Sequence, residues 1–161
     1  AVELVDQYKN LVITQSFSKS RSLAGMRLGC AFGNEDLIEA LNRIKNSFNS
    51  YPIDRLAEIA GIEAIKDENY FNETRDKIIQ ARIFLENELL LMGFETLPSG
   101  ANFIFTKHRS KDAVMIFKKL RESGVIVRHF NEPERISQYL RITIGTQEEM
   151  RAFISILKVI I

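Results

Sequence analysis

Ser16-Phe17-Ser18-Lys19-Ser20-Arg21-Ser22-Leu23-Ala24-Gly25-Met26-Arg27-Leu28-Gly29 is the stretch that decides the reading of this chain. It is a polar, serine-rich turn between two apolar runs, Leu11 to Thr14 and Met26 to Phe32, both of which read as strands. One lysine, several hydroxyls and an arginine are thereby gathered on a single connection. Such a turn can hold a phosphate: hydroxyls and free backbone N–H groups donate, and a guanidinium supplies a bidentate, charge-assisted pair. Gly29 lets the backbone approach its neighbour closely. On composition alone the same residues also suit a solvated basic loop, because exposed Lys and Arg are the norm.

Working outward, Ala1 to Lys9 reads as the tail of a helix. Asn34 is suited to cap a helix, with Glu35 and Asp36 in the first turn where the helix dipole favours anions. Leu37, Ile38, Leu41, Ile44 and Phe48 follow at helical spacing. Tyr51-Pro52 ends that helix, since proline disfavours helical backbone in the residue before it, and a further helix is expected over Ile53 to Ile65. Asp67-Glu68-Asn69 is the most polar junction and sets the expected boundary between two parts, 1–68 and 69–161.

Beyond that junction the spacing predicts a long helix from Phe71 to Met92, closed by Gly93. Strands are expected at Phe94 to Leu97 and Ala101 to Thr106, joined by the turn Pro98-Ser99-Gly100. Lys111 to Glu122 is amphipathic, with Ala113, Val114, Ile116, Phe117 and Leu120 on its inner side and Gly124 closing it. Strands at Val125 to Val127 and Leu140 to Ile144 precede a last helix, Gln147 to Val159. This alternation argues for an α/β or α+β unit with a layered core.

The 161 residues suffice for one ordinary domain, or a small domain plus part of another. With 45% hydrophobic and 27% charged residues there is enough apolar material for a core, which excludes wholesale disorder. A net charge of +1 gives no electrostatic footprint for nucleic acid or an anionic membrane. No apolar run approaches transmembrane length. Cys30 is the single cysteine, so no internal disulfide can form, and a reducing cytoplasm is the expected location. Its neighbours mark it as a packed strand thiol. His108 and His129 share no metal-ligand spacing, so no metal site is expected and both read as exposed loop residues.

The lysine turn resembles the corresponding segment of the fold type I, pyridoxal-phosphate (PLP) dependent aminotransferases, and within them the histidinol-phosphate aminotransferases. There Ser/Thr-x-Ser-Lys followed by Leu-Ala-Gly-x-Arg-x-Gly is the signature, met here by Ser16 to Gly29. Further counterparts are Asn10-Leu11-Val12, Tyr51-Pro52, Ser99 to Ile104, Gly124 to Arg128 and Leu140 to Thr146, so the likeness covers essentially the whole chain. It implies the aspartate aminotransferase fold, α/β: residues 1–68 as the end of the large PLP-binding domain and 69–161 as the α+β small domain. It implies Lys19 as the lysine that binds PLP covalently, and Ser16, Ser18 and Arg27 as holders of the cofactor phosphate. It implies Arg128 and Arg141 as binders of the substrate's anionic groups, and Asn102 is grouped with them as a substrate-binding candidate, one that positions backbone near the site rather than performing chemistry. The implied partners are a small amino substrate and a 2-oxo acid such as 2-oxoglutarate, with a homodimer for the full-length parent.

In the resembling family the aspartate that pairs with the pyridine nitrogen lies well upstream of the lysine, whereas only eighteen residues precede Lys19 here. These residues are therefore expected to be the C-terminal part of a longer enzyme, inactive in isolation. Two rival readings stand beside this one. A threonine-phosphate decarboxylase of the same fold shares the lysine signature, and a non-catalytic module could retain the fold's C-terminal half.

Overall fold

In a computed structural model the described residues are 1–161. They form two compact units, Ala1–Asn72 and Glu73–Ile161. The division falls within a helix, a few residues beyond the polar junction Asp67-Glu68-Asn69.

The first unit is built on an antiparallel strand pair, β1 (Val12–Ser16) and β2 (Gly29–Gly33), in register from Val12 opposite Gly33 to Ser16 opposite Gly29. The connection between them is more structured than a turn. Ser16 caps a single helical turn, α1 (Phe17–Ser20), and a 3-10 turn follows at Ala24–Met26. Helix α2 (Glu35–Phe48) starts where Asn34 accepts a hydrogen bond from the Asp36 N–H, and α3 (Arg55–Lys66) where Asp54 accepts from the Ala57 N–H. Only Phe17 and Ala57 are buried apolar side chains here. Ala1 to Lys9, expected to be a helix tail, holds just a 3-10 turn, Val2–Leu4, followed by further turns.

The second unit carries the core. Helix α4 (Glu68–Leu91) ends at Gly93, whose φ of +85° is a left-handed conformation that a side chain would strain. Strands β3 (Phe94–Leu97), β4 (Phe103–His108), β5 (Arg128–His129) and β6 (Leu140–Thr143) make an antiparallel sheet in the order β3-β4-β6-β5. Helices α5 (Ala113–Glu122) and α6 (Gln147–Ile160) complete it. Strand alternation assigns the two faces: Ile104 and Thr106 on β4 and Leu140 and Ile142 on β6 are buried, whereas Arg141 and Thr143 are exposed. The buried face joins Leu85 and Leu89 of α4, Ile116 and Leu120 of α5, and Phe153, Ile154 and Leu157 of α6 in one cluster. Thr106 is the one buried polar side chain. Its hydroxyl donates to the Glu95 carbonyl and accepts from Thr96, so burial leaves nothing unpaired. Thr146 and Glu149 close a reciprocal capping box at the start of α6.

One strand moves from its expected place. Val125 to Val127 pairs with no strand, because the Val125 N–H donates back to Leu120 O as part of the α5 terminus. Pairing begins only at Arg128. The two histidines also differ from expectation. Both lie on strands and are partly buried. His108 Nδ1 accepts from the Ser110 and Lys111 N–H groups at 3.0 Å, and His129 Nε2 donates to Ser137 O at 2.7 Å. No helix is long and apolar enough to cross a membrane.

Candidate functional site

The lysine turn is organised by Ser16. Its Oγ accepts the Ser18 N–H at 3.1 Å and donates to Ser18 Oγ at 2.9 Å, which fixes both hydroxyls at the start of α1. The β1–β2 ladder then sets Gly29 opposite Ser16, and a Cβ at position 29 would lie 3.0 Å from Gln15 O. Arg27, just before that pairing, adopts φ +52°, left-handed backbone that costs a non-glycine residue about 1 kcal/mol. Ser16, Ser18, Arg27 and Gly29 line one concavity, and Cys30, partly buried on β2, lies at its wall.

The three basic residues of the turn separate into two kinds. Arg21 is tied into the fold: its Nη1 donates to Ala64 O at 2.8 Å, and its guanidinium lies 3.9 Å from the Phe71 ring centroid. Arg27 is exposed, and its Nη1 donates to Ala24 O at 3.2 Å. Lys19 is exposed on α1 and is outside the residues that line the concavity. Ser16, Ser18 and Arg27 on one concavity offer a donor set suited to a phosphate. The phosphate end of PLP is thus matched by this chain's residues.

In the second unit, Arg128 and Arg141 are direct partners across the β5–β6 ladder and so point to one face of the sheet. Each guanidinium stands 5.4 Å from an aromatic centroid, Phe130 for Arg128 and Phe103 for Arg141. Both line a cleft with Phe117, Arg121, His129 and Thr143. Asn102 is placed differently. It lies in the connection before β4, its carbonyl accepts the Ile144 N–H at 2.9 Å, and it is absent from the cleft wall. Arg121 was not singled out from sequence. The available signal was its spacing, four residues after Phe117 and hence on the same side of α5. No group of three or more His, Cys, Asp or Glu is arranged to hold a metal ion.

An antiparallel β1–β2 pair presenting a hydroxyl-capped lysine turn, together with a helix-backed sheet presenting paired arginines, defines a class. The chain belongs to the aminotransferase class I and II family, whose model matches residues 1–157. Its fold is the α/β aspartate-aminotransferase-like fold. Among its relatives is a histidinol-phosphate aminotransferase of Clostridium botulinum (strain Langeland / NCTC 10281 / Type F), 56% identical over 161 residues, which are 100% of this chain and 45% of that protein. The crystal structure of the histidinol-phosphate aminotransferase from Clostridium acetobutylicum superposes with a TM-score of 0.89 at 25% identity, covering 99% of this chain and 48% of that one. The Sinorhizobium meliloti histidinol-phosphate aminotransferase, solved in complex with pyridoxal-5'-phosphate, gives 0.83 at 26% identity over 99% and 43%. The chain therefore spans a little under half the length of the relatives it matches.

Proposed function

We propose that this chain is the C-terminal part of a PLP-dependent aminotransferase that acts on histidinol phosphate or a similar phosphorylated amino substrate, with a 2-oxo acid as amino acceptor. The observation that carries the reading is the 56% identity, along the whole chain, to a protein of that name. In this reading the first unit is the end of the large domain and the second is the small domain. The full-length parent is a cytoplasmic homodimer, and the isolated chain is inactive.

The roles are those that the family resemblance gives to residues at these positions. Ser16, Ser18 and Arg27 bind the PLP phosphate, and Lys19 forms the covalent attachment. Bound PLP supplies an electron sink for the pair released when the substrate Cα–H bond breaks. Lys19 Nζ takes that α-proton and holds it. Arg128 and Arg141 bind the substrate's anionic groups, bidentate forks that orient it for proton transfer. Asn102 acts through its backbone, by holding Ile144 at the end of β6.

The test uses the full-length parent. It is loaded with PLP, reduced with borohydride and digested, and the lysine that retains the pyridoxyl group is mapped. Label on Lys19, lost in Lys19→Ala together with amino transfer to 2-oxoglutarate, is the expected result. Carbon dioxide release without amino transfer would replace this reading with that of a decarboxylase of the same fold.

A further inference from the structure

We infer that Arg121 is a third anion-binding residue of the cleft on the second unit, and that it selects a doubly charged phosphate monoester over a singly charged carboxylate. This rests on the reading above that Arg128 and Arg141 bind the substrate's anionic groups. The cleft gathers Arg121, Arg128 and Arg141 with His129 and Thr143, and no Asp or Glu lines it, although the chain has 21 acidic residues. None of the three arginines forms an ion pair with a carboxylate. The aromatic contacts of Arg128 and Arg141 orient their guanidiniums without cancelling charge. Three uncompensated cations in one concavity repel one another, and an anion of high charge relieves that repulsion.

The ordinary role for an arginine at the end of a helix is to satisfy the last carbonyls. Three of those carbonyls are already met at the end of α5 by backbone N–H groups. Lys119 O and Leu120 O accept from the Ser123 N–H, Leu120 O also from Val125, and Arg121 O from Gly124. The Arg121 side chain is left to the cleft, one helical turn beyond Phe117, whose ring stands 5.7 Å from His129 on the same wall. A carboxylate spreads a single charge over two oxygens. A phosphate monoester presents three terminal oxygens and up to two charges, enough to occupy further forks.

The experiment is steady-state kinetics on the full-length, PLP-loaded enzyme with Arg121→Gln, Arg121→Lys and Arg128→Gln. The substrates are the phosphorylated amino alcohol and an analogue with a carboxylate in place of the phosphate, with inorganic phosphate as competitive inhibitor. In Arg121→Gln, KM for the phosphorylated substrate and Ki for phosphate rise about tenfold, and the preference in kcat/KM for the phosphorylated substrate over the analogue falls by about the same factor. Arg121→Lys keeps part of the affinity, because it keeps the charge and loses the fork. Unchanged KM and Ki in Arg121→Gln, with both raised in Arg128→Gln, overturn the inference and leave the proposed function standing. If neither variant alters them, the assignment of Arg128 falls as well. Thermal melting of each variant separates a lost contact from a lost fold.

Discussion

Arg128 and Arg141 stand opposite each other across the β5–β6 ladder, like charges in register on one face of a sheet. Such a pairing is unfavourable in the folded protein by about 0.5 kcal/mol, so its presence runs against stability. Arg128→Gln is therefore expected to leave the melting temperature unchanged or slightly higher while weakening binding of the anionic substrate. A variant that lost stability and affinity in parallel would show that Arg128 is part of the scaffold instead.

Arg27 carries a second tension of this kind. Its left-handed φ of +52° favours glycine, yet the position holds an arginine, one that lines the concavity with Ser16 and Ser18. Arg27→Gly should relieve the backbone and hold or raise stability, by up to about 1 kcal/mol, while PLP affinity falls at least about tenfold. Arg27→Ala should lose both, since alanine keeps the strain and lacks the guanidinium. Urea denaturation of the chain and PLP titration of the full-length enzyme measure the two quantities separately.

What was legible in the sequence is what local chemistry dictates. Asn34 caps α2, Gly93 closes α4, and the serine–lysine turn sits between two strands, because each depends on its neighbours in the chain. Val125 to Val127 has the composition of a strand, but its first N–H is taken by Leu120 O, a competition that apolar content does not reveal. His108 read as a loop residue because nothing nearby in sequence announces Phe94, whose ring it meets edge-on at 5.0 Å. Arg121 escaped for the same reason. An amphipathic reading of α5 identifies an inner stripe, whereas the cleft needs β5 and β6 folded beside the helix end.

Arg21 and Arg27 are six residues apart, and the structure gives them different surroundings. Arg21 bonds Ala64 O and stacks on Phe71, contacts that join the lysine turn to α3 and the start of α4 within the first unit. Arg21→Ala should cost about 1–2 kcal/mol of stability through the lost hydrogen bond and ring contact. Arg21→Lys should recover little of it, since an ammonium cannot both stack and reach the carbonyl with a planar fork. A chemical denaturation series on the two variants decides this. Equal stability in Arg21→Ala and wild type would remove Arg21 from the scaffold.

The two units differ in how much they bury, and that difference should appear in hydrogen exchange. Fifteen buried residues form the core of the second unit, including Leu85, Ile104, Leu120 and Leu157. The first unit buries only Phe17 and Ala57 among its apolar side chains and leaves Phe48, Tyr51 and Leu56 at 78%, 94% and 73% exposure. Burying one large apolar side chain contributes about 1.5–3 kcal/mol, so the shortfall is large compared with the stability of a small domain. The amides of β4 and β6 should exchange only on global opening of their unit, and those of β1 and β2 orders of magnitude faster. In the full-length parent the β1–β2 amides should slow to the rate of its core, because the apolar surface of α2 and α3 is then covered. Equal protection of β1 and β4 in the isolated chain would mean that the first unit is stabilised by something other than burial. Unchanged β1–β2 exchange in the full-length parent would mean that the surface stays open there too.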